Sequence, residues 1–223
     1  MTEPVLTRDG ELLVIDFGDH ENATDISWVE TMNALLDEAE AVEGPKALIT
    51  TGSGKHYSNG LDVDWMAGRS GREIGTYVTS VEAVLARILT FPAPTVAAVN
   101  GHAFGAGAFA VIAHDHAVMR DDRGYVCWPE VHLQMTFSPG LLAMVKHLLP
   151  VDAGWMAMIT GHRFTAADAV AARFVDRAVG LDELRSAAAE LARVNAATAG
   201  PNLGAIKRQF HGAVLDVLGV GRG

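Results

Sequence analysis

Cysteine is nearly absent from this chain of 223 residues, since Cys127 is the only one. A single thiol can form neither an intramolecular disulfide nor a multi-cysteine metal cluster. The first eleven residues contain no basic stretch followed by an apolar segment, so they are unlike a secretory signal. We therefore expect a protein of a reducing compartment with a cytoplasmic location.

Basic residues are also few. Lys and Arg together number 17, against 27 Asp and Glu, which gives a formal net charge of −10 at pH 7. Such a chain repels the phosphates of nucleic acids unless its cations cluster. We therefore expect no nucleic-acid partner.

The sequence has no uninterrupted hydrophobic run long enough to cross a membrane, although one segment comes close. No Asp, Glu, Lys or Arg occurs between Arg87 and Asp115. Pro92, Pro94 and the Asn-Gly pair at 100–101 interrupt this segment, and a continuous membrane helix would not tolerate them all. We expect no membrane span. The overall composition, 49% hydrophobic and 20% charged, is typical of a globular protein with a substantial core.

Strand and helix patterns alternate along the chain, which indicates the α/β class. Asp9-Gly10 predicts a tight hairpin between the first two strands. Ser27 and Glu30 have the spacing of a capping box, which predicts that the first helix begins there. Predicted strands occupy 5–7, 11–17, 47–50, 95–99, 116–120, 125–127 and 174–179; predicted helices occupy 27–42, 73–89 and 107–113, with mostly helix from 139 onward. The glycine-rich segments 51–60 and 100–105 are predicted loops.

One glycine motif suggests a nucleotide site. The segment 105–110, Gly-Ala-Gly-Ala-Phe-Ala, satisfies the dinucleotide fingerprint G-x-G-x-x-A and lies between a strand and a helix. In a dinucleotide fold the first glycine follows its strand almost directly, whereas here 100–104 intervene and two strand units precede. The spacing therefore disfavours a nicotinamide enzyme, which stays an alternative.

Three other side chains suggest binding sites. His114 and His116 could lie on one face of a strand and bind a metal, but they lack a nearby third ligand. Hydrogen-bonded structural roles are favoured, so no metal site is predicted. Lys207, on the last predicted helix, is either a contact for a phosphate or, more simply, part of a solvated helix face.

Two further loops each follow a predicted strand and together form a specific pattern. The first loop is Gly52–Asp62, the second is Asn100–Gly107, and Trp128-Pro129-Glu130 follows them. This order resembles the enoyl-CoA hydratase/isomerase (crotonase) superfamily over about 47–179. The segment 160–169, Thr-Gly-His-Arg-Phe-Thr-Ala-Ala-Asp-Ala, extends the resemblance.

The resemblance implies an architecture as well as a chemistry. It implies the α/β crotonase (ClpP/crotonase-like) fold, a spiral of β-β-α units with a C-terminal helical region. We expect a core domain at 1–180 and a C-terminal helical segment at 181–223, which is either part of the same domain or a trimerisation region. A homotrimer or hexamer is expected. Because the chain ends earlier than many relatives, a neighbouring subunit is a candidate to cover the acyl pocket.

Members of this superfamily convert a thioester carbonyl to an enolate, whose oxygen is stabilised by two backbone amides. By position, these amides belong to Leu61 and Ala106, and Glu130 matches a catalytic glutamate. Coenzyme A is then part of an acyl-CoA thioester substrate, and no separate cofactor is expected. The residues expected beside the substrate are Ser58, Asn59, Gly60, Asp62, Val63, Asp64, Trp65, Met66, Gly105 and Phe109.

Phe109 occupies the position of a second glutamate that hydratases of the family use. A phenyl ring there removes an acid/base group and fills the space of a nucleophilic water, whereas isomerisation needs one carboxylate. Ser58–Asp62 is also similar to Δ3,Δ2-enoyl-CoA isomerases. The resemblance therefore implies an isomerase of fatty-acid metabolism that shifts a C3 double bond to C2. Residual hydratase activity and a non-catalytic acyl-CoA-binding homologue are the alternatives.

Overall fold

Short strands and mostly short helices alternate through residues 3–220, which the computed structural model describes. The strands are β1 Val5–Asp9, β2 Leu12–Asp16, β3 Ala47–Thr51, β4 His56–Ser58, β5 Thr95–Val99, β6 His102–Phe104, β7 His116–Arg120, β8 Val126–Cys127 and β9 Arg177–Val179. The helices are α1 Ile26–Ala41, α2 Val63–Met66, α3 Gly71–Leu89, α4 Ala106–Ala113, α5 Pro139–Leu148, α6 Val151–Thr160, α7 Ala166–Ala171, α8 Leu181–Val194, α9 Pro201–Phe210 and α10 Gly212–Leu218. Residues 1–2 of the predicted core domain and residues 221–223 of the predicted C-terminal segment lie outside the described residues.

Six strands form the larger sheet, in the order β1-β2-β3-β5-β7-β9. β1 and β2 are antiparallel, and every other neighbouring pair is parallel. Gly10 has a φ of 61°, so the hairpin predicted at Asp9-Gly10 is confirmed.

The remaining strands build a second, smaller sheet in the order β4-β6-β8, and its pairs are parallel. β3, β5 and β7 belong to the larger sheet, and the strand after each of them enters the smaller one before the chain returns through a helix. This repeat is the predicted spiral of β-β-α units. It brings the loops that follow β4, β6 and β8 to the same edge of the smaller sheet.

The larger sheet separates two apolar layers, because successive side chains of a strand point to opposite faces. Leu13, Leu48, Ala97 and other residues of one face pack with α1, α3 and α4 in the main core. Leu12, Ile49, Val96 and Val118 face the other way and pack against α8. The central strands β3 and β5 are therefore buried along their whole length.

Helix α1 begins at a different residue from the one predicted. Asp25 is its N-cap, and its carboxylate accepts a hydrogen bond from the amide of Trp28 at 2.7 Å. The Ser27 hydroxyl instead donates to Asp25 Oδ1, so the prediction of a cap at Ser27 was wrong. A carboxylate two residues upstream takes the capping role, since Asp caps helices at least as well as Ser.

Three short elements were not predicted: β4 lies in the first glycine-rich loop, β6 lies in the second, and α2 lies in a segment after Asp62 to which no element was assigned. Each has three or four residues, too few for a hydrophobic period. The last predicted strand, 174–179, is shorter than expected, because the amides of Phe174 and Val175 donate to the carbonyl of Ala169 in α7 and not to a neighbouring strand.

The C-terminal helices pack on the rest of the described chain. α8 covers one face of the larger sheet, whereas α10 packs against α3 and α5. None of the helices within residues 3–220 has the length and apolarity that a membrane crossing requires.

Candidate active site

A cavity of about 670 Å³ opens at the edge of the smaller sheet. Asn59 and Leu61 reach it from the loop after β4, Gly105 and Ala106 from the residues after β6, and Glu130 from the loop after β8. Each strand of the smaller sheet thus delivers residues to the cavity directly beyond its carboxyl end. These five residues are distant in sequence and were predicted to act together.

The first loop leaves one amide free for a ligand. In the described structure the amides of Asn59, Gly60 and Asp62 donate to a carbonyl, a serine hydroxyl and a tyrosine hydroxyl. The amide of Leu61 has no acceptor in that part of the chain. Since Leu61 lines the cavity, a ligand atom there could accept this hydrogen bond.

The second loop offers another free amide at the start of α4. Gly105 donates its amide to the carbonyl of Cys127 at 3.0 Å, whereas Ala106 is the first residue of the helix and has no intrahelical acceptor. The helix N-terminus carries a partial positive charge, which adds to the attraction for an anionic oxygen.

Glycines allow the two loops to pack backbone against backbone. Gly60 has a φ of 84°, and a methyl group placed on it would lie 2.5 Å from the carbonyl oxygen of Phe104 and 3.0 Å from the amide nitrogen of Ala106. A methyl on Gly107 would lie 2.5 Å from the carbonyl oxygen of Ser58. The two distances of 2.5 Å to carbonyl oxygens are too short for a real side chain, so Gly60 and Gly107 cannot be replaced without moving the backbone.

The carboxylate of Glu130 lies against the second loop at Gly105. Its Oε1 lies 3.3 Å from where a methyl on Gly105 would stand, and its Oε2 is buried without a hydrogen-bond partner in the described structure. Burial raises the pKa of Glu130 to about 7, with a smaller opposing effect of its own backbone amide. A carboxyl group with a pKa near 7 can both accept and donate a proton at neutral pH.

The comparisons with known proteins bear on this geometry. The sequence model described as enoyl-CoA hydratase/isomerase matches residues 8–219, nearly the whole chain. The chain belongs to the enoyl-CoA hydratase/isomerase family. A relative from Arabidopsis thaliana, the peroxisomal enoyl-CoA delta isomerase 2, is 32% identical over 182 residues, which cover 78% of this chain and 75% of the relative.

Other members of the family are about equally similar but carry different names. A carnitinyl-CoA dehydratase of Salmonella enteritidis is 33% identical over 191 residues, which cover 84% of this chain and 72% of that protein. The crystal structure of a probable enoyl-CoA hydratase, EchA3, of Mycobacterium tuberculosis superimposes with a TM-score of 0.89 at 27% identity over 99% of this chain and 93% of that one. The superposition establishes the crotonase fold, whereas the names of relatives do not single out one reaction.

Phe109, which was expected beside the substrate, lies behind the cavity wall. It is fully buried, and its ring makes edge contacts with Trp128 and Phe137 at centroid distances of 5.9 and 6.1 Å. Phe137 lines the cavity and Phe109 does not. The ring of Phe109 therefore packs behind the cavity wall, against Phe137.

Other residues expected beside the substrate divide into two groups. Val63 and Met66 line the cavity, as Asn59 does. The side chains that lie outside it have local roles. The Ser58 hydroxyl donates to the carbonyl of Asn22 and accepts from the amide of Gly60, whose contribution is its backbone. Asp62 caps α2, and the neighbouring Asp64 is exposed. Trp65 packs on Tyr77 and under Arg69.

Sequence reasoning missed part of the cavity wall. Glu82 of α3 lies on it and is buried, and the hydroxyl of Ser138 donates to its Oε1. Val217 and Leu218 of α10 complete the wall. The helix α10 of the same chain therefore forms part of the cavity wall, for which the sequence had left a neighbouring subunit as one candidate. A signal for Glu82 existed, because it interrupts an otherwise apolar stripe of a helix.

A second group of ionisable side chains lies near the C-terminal end of α4, where His114 is the C-cap. Lys207 is buried, and its ammonium group donates to Asp115 Oδ2 at 2.6 Å and to the carbonyl of Ala93 at 2.9 Å. The prediction of a solvated helix face at Lys207 was therefore wrong. His114 is bonded to Thr50 and to a backbone carbonyl. Within residues 3–220 no three or more His, Cys, Asp or Glu side chains are arranged to hold a metal ion.

Proposed function

We propose that the protein is an enoyl-CoA isomerase that moves the double bond of a 3-enoyl-CoA from C3 to C2. The observation that carries this proposal is the pairing of Glu130, whose Oε2 is buried without a hydrogen-bond partner in the described structure, with the free amides of Leu61 and Ala106 around a single cavity. The similarity to enoyl-CoA delta isomerases supports it.

The proposed reaction has two proton transfers. The carboxylate of Glu130 removes a proton from C2 of the 3-enoyl thioester, and the electron pair of that C–H bond moves through the conjugated system to the thioester oxygen. The amides of Leu61 and Ala106 donate hydrogen bonds to this oxygen and stabilise the dienolate. Glu130 then returns the proton to C4, which leaves the double bond between C2 and C3 and restores the carboxylate.

The cavity favours isomerisation over hydration. Hydration of a 2-enoyl-CoA needs an activated water in addition to a proton donor, and hydratases of this family use two glutamates for these tasks. By resemblance Phe109 stands at the position of one of them; it is fully buried and has no proton to exchange. One carboxylate with a pKa near 7 suffices for a proton shuttle between C2 and C4.

The coenzyme A moiety would enter as part of the substrate, beside Asn59 and Val63. A neighbouring cavity of about 520 Å³ lies between Asp62 and the segment 19–23, on the other side of the first loop. The two cavities together offer room on both sides of Leu61, so the thioester carbon would lie at the loop and the two ends of the substrate would extend in opposite directions.

Incubation with matched thioesters tests the proposal. Purified protein should convert trans-3-hexenoyl-CoA to trans-2-hexenoyl-CoA, followed by ultraviolet absorbance of the conjugated thioester. Under the same conditions it should add water to trans-2-hexenoyl-CoA at a much lower rate, measured by chromatography. Water addition that is faster than isomerisation would identify a hydratase instead, and binding of both esters without either reaction would identify an acyl-CoA-binding homologue.

We also propose that the protein assembles as a homotrimer or a pair of trimers. Support comes from α6, where Val151 and Trp155 are 84% and 66% exposed and Met156 and Ile159 are also exposed. Apolar side chains clustered on one exposed helix favour contact with another chain. Light scattering coupled to size exclusion checks this, and a mass of one chain would contradict it. The cytoplasmic location stays a prediction, since some isomerase relatives are named peroxisomal.

A further inference from the structure

Besides Glu130, the cavity is lined by a second carboxylate, that of Glu82. It lies on α3, is 6% exposed, and lines the same cavity as Glu130. The same cavity is also lined by apolar side chains, namely Val63, Met66, Ile74, Val78, Phe137 and Leu218. A buried carboxylate among such residues is unfavourable unless hydrogen-bond donors reach it.

The carboxylate is anchored at the start of α5. The hydroxyl of Ser138 donates to Glu82 Oε1 and accepts from the amide of Leu141 at 3.1 Å, so Glu82 faces the positive end of that helix. A methyl group on Gly140 would lie 3.1 Å from Glu82 Oε1 and 2.6 Å from Leu218 Cδ2. Glycine at this position therefore leaves the space that the carboxylate occupies between α5 and α10.

Anchoring leaves most of the hydrogen-bonding capacity of Glu82 unused. Ser138 is the donor that the described structure provides to this carboxylate, whereas an ionised carboxylate has about four acceptor positions. Glu82 also belongs to a different part of the wall from Glu130. Glu130 adjoins Gly105 at the free amides, and Glu82 adjoins α5 and α10.

We infer that Glu82 is a specificity-determining residue that selects acyl thioesters whose chain carries a hydroxyl group beyond the reacting carbons. A plain hydrocarbon chain in this cavity would strip water from the carboxylate and offer no donor in return. A chain with a hydroxyl group at the same depth would donate to the free acceptor positions. This inference rests on the proposed function, because it takes the cavity to be the acyl site.

Binding of unreactive substrate analogues tests the inference without any turnover. Saturated acyl-CoA esters of four to eight carbons, each with and without a terminal hydroxyl, would be titrated calorimetrically into the wild type, Glu82→Gln and Glu82→Met. At the chain length that reaches Glu82, the wild type should bind the hydroxylated ester about 10- to 100-fold more tightly than the plain one. Glu82→Met should lose or reverse this preference, and Glu82→Gln should keep part of it.

Ser138→Ala is the matched control, because it removes the anchor of the carboxylate and keeps the carboxylate itself. A preference that survives in Ser138→Ala and disappears in Glu82→Met supports a direct contact with the ligand. A wild type without preference at any length, or equal losses in the two variants, overturns the inference. Thermal unfolding of each variant confirms that it is folded.

The result also separates the inference from the function on which it rests. A wild type that isomerises 3-enoyl-CoA but binds both ester series equally contradicts only the role of Glu82. A wild type that binds none of these esters contradicts both the role of Glu82 and the proposed isomerase.

Discussion

Two groups of buried and half-buried ionisable residues lie near opposite ends of α4, and they differ in how well their polar atoms are satisfied. In the group around Lys207, the ammonium bonds Asp115 and a carbonyl, and the ring of His114 is bonded through both nitrogens. Burial lowers the pKa of His114 to about 4, so this ring is neutral at pH 7. At the cavity, Glu130 Oε2 is buried without a partner.

The comparison teaches that burial alone does not identify a reactive group. Desolvation lowers the pKa of Lys207 and raises that of Glu130. Only Glu130 also borders a cavity next to free backbone amides, where a ligand could supply the missing partner. We therefore assign stability to the Lys207 group and chemistry to Glu130, and four predictions test that division.

The largest expected effect is on catalysis at Glu130. Glu130→Gln should lower kcat for the isomerisation by about 10²- to 10⁴-fold, because the amide cannot accept the C2 proton. This corresponds to roughly 2.7 to 5.4 kcal/mol of activation free energy. Steady-state kinetics with 3-hexenoyl-CoA measures it. A loss smaller than tenfold would remove Glu130 from the mechanism.

Lys207→Met should instead affect folding. Removal of the ammonium deprives the half-buried carboxylate of Asp115 of its counter-ion, although Thr95 still donates to it, and deprives the carbonyl of Ala93 of its donor. The free energy of unfolding should therefore fall by about 3 kcal/mol. Urea unfolding measures the change. The KM for the CoA ester should stay within twofold of the wild type at a temperature where the variant is folded. A large rise in KM would restore the phosphate-contact interpretation of Lys207.

The pH dependence of the reaction should report Glu130 directly. Its pKa of about 7 means that the carboxyl is protonated, and cannot act as the base, below that pH. We expect kcat/KM to fall about tenfold per pH unit below pH 7 and to level off above it. A profile that stays flat down to pH 5 would contradict the raised pKa.

The smallest effect is a gain in stability. The folded state raises the pKa of Glu130 from 4.5 to about 7, so the folded chain binds this proton more tightly than the unfolded chain does. The free energy of unfolding therefore falls as pH rises from 4.5 to 7. Glu130→Gln should be more stable than the wild type by about 1 to 3 kcal/mol at pH 8 and equally stable at pH 4. Urea titrations at both pH values measure this difference, and a less stable variant at pH 8 would contradict it.

Much of the fold could be predicted because its longer elements carry clear patterns. The apolar periods of α1 and α3 and the buried runs of β3 and β5 appear directly in the sequence. β4, β6 and α2 did not, because three or four residues cannot show a period. At the start of α1, Asp25 and Ser27 are both good caps, and only the path of the chain decides between them.

The candidate site could be predicted in part. The glycines of the two loops occupy positions where a larger residue would clash, and they are part of the sequence pattern that resembles the family. Leu61, Ala106 and Glu130 were assigned from that pattern. The direction of a side chain on a short helix does not follow from sequence. The packing of Trp65 on Tyr77, outside the cavity, could therefore not be predicted. Lys207 occupies a helix position that looks solvated until the tertiary packing is known, whereas Glu82 lies on the apolar stripe of α3 and could have been suspected from the sequence.

The interlock of the two loops through Gly60 and Gly107 has a consequence for mutagenesis. The groups proposed to hold the thioester oxygen belong to the main chain, so truncating the side chain of Leu61, or exchanging Ala106 for another small residue, leaves those groups in place. Alanine scanning would thus pass over them without a signal. The sensitive positions are their glycine neighbours, where one added carbon would push the loops apart and displace both amides at once.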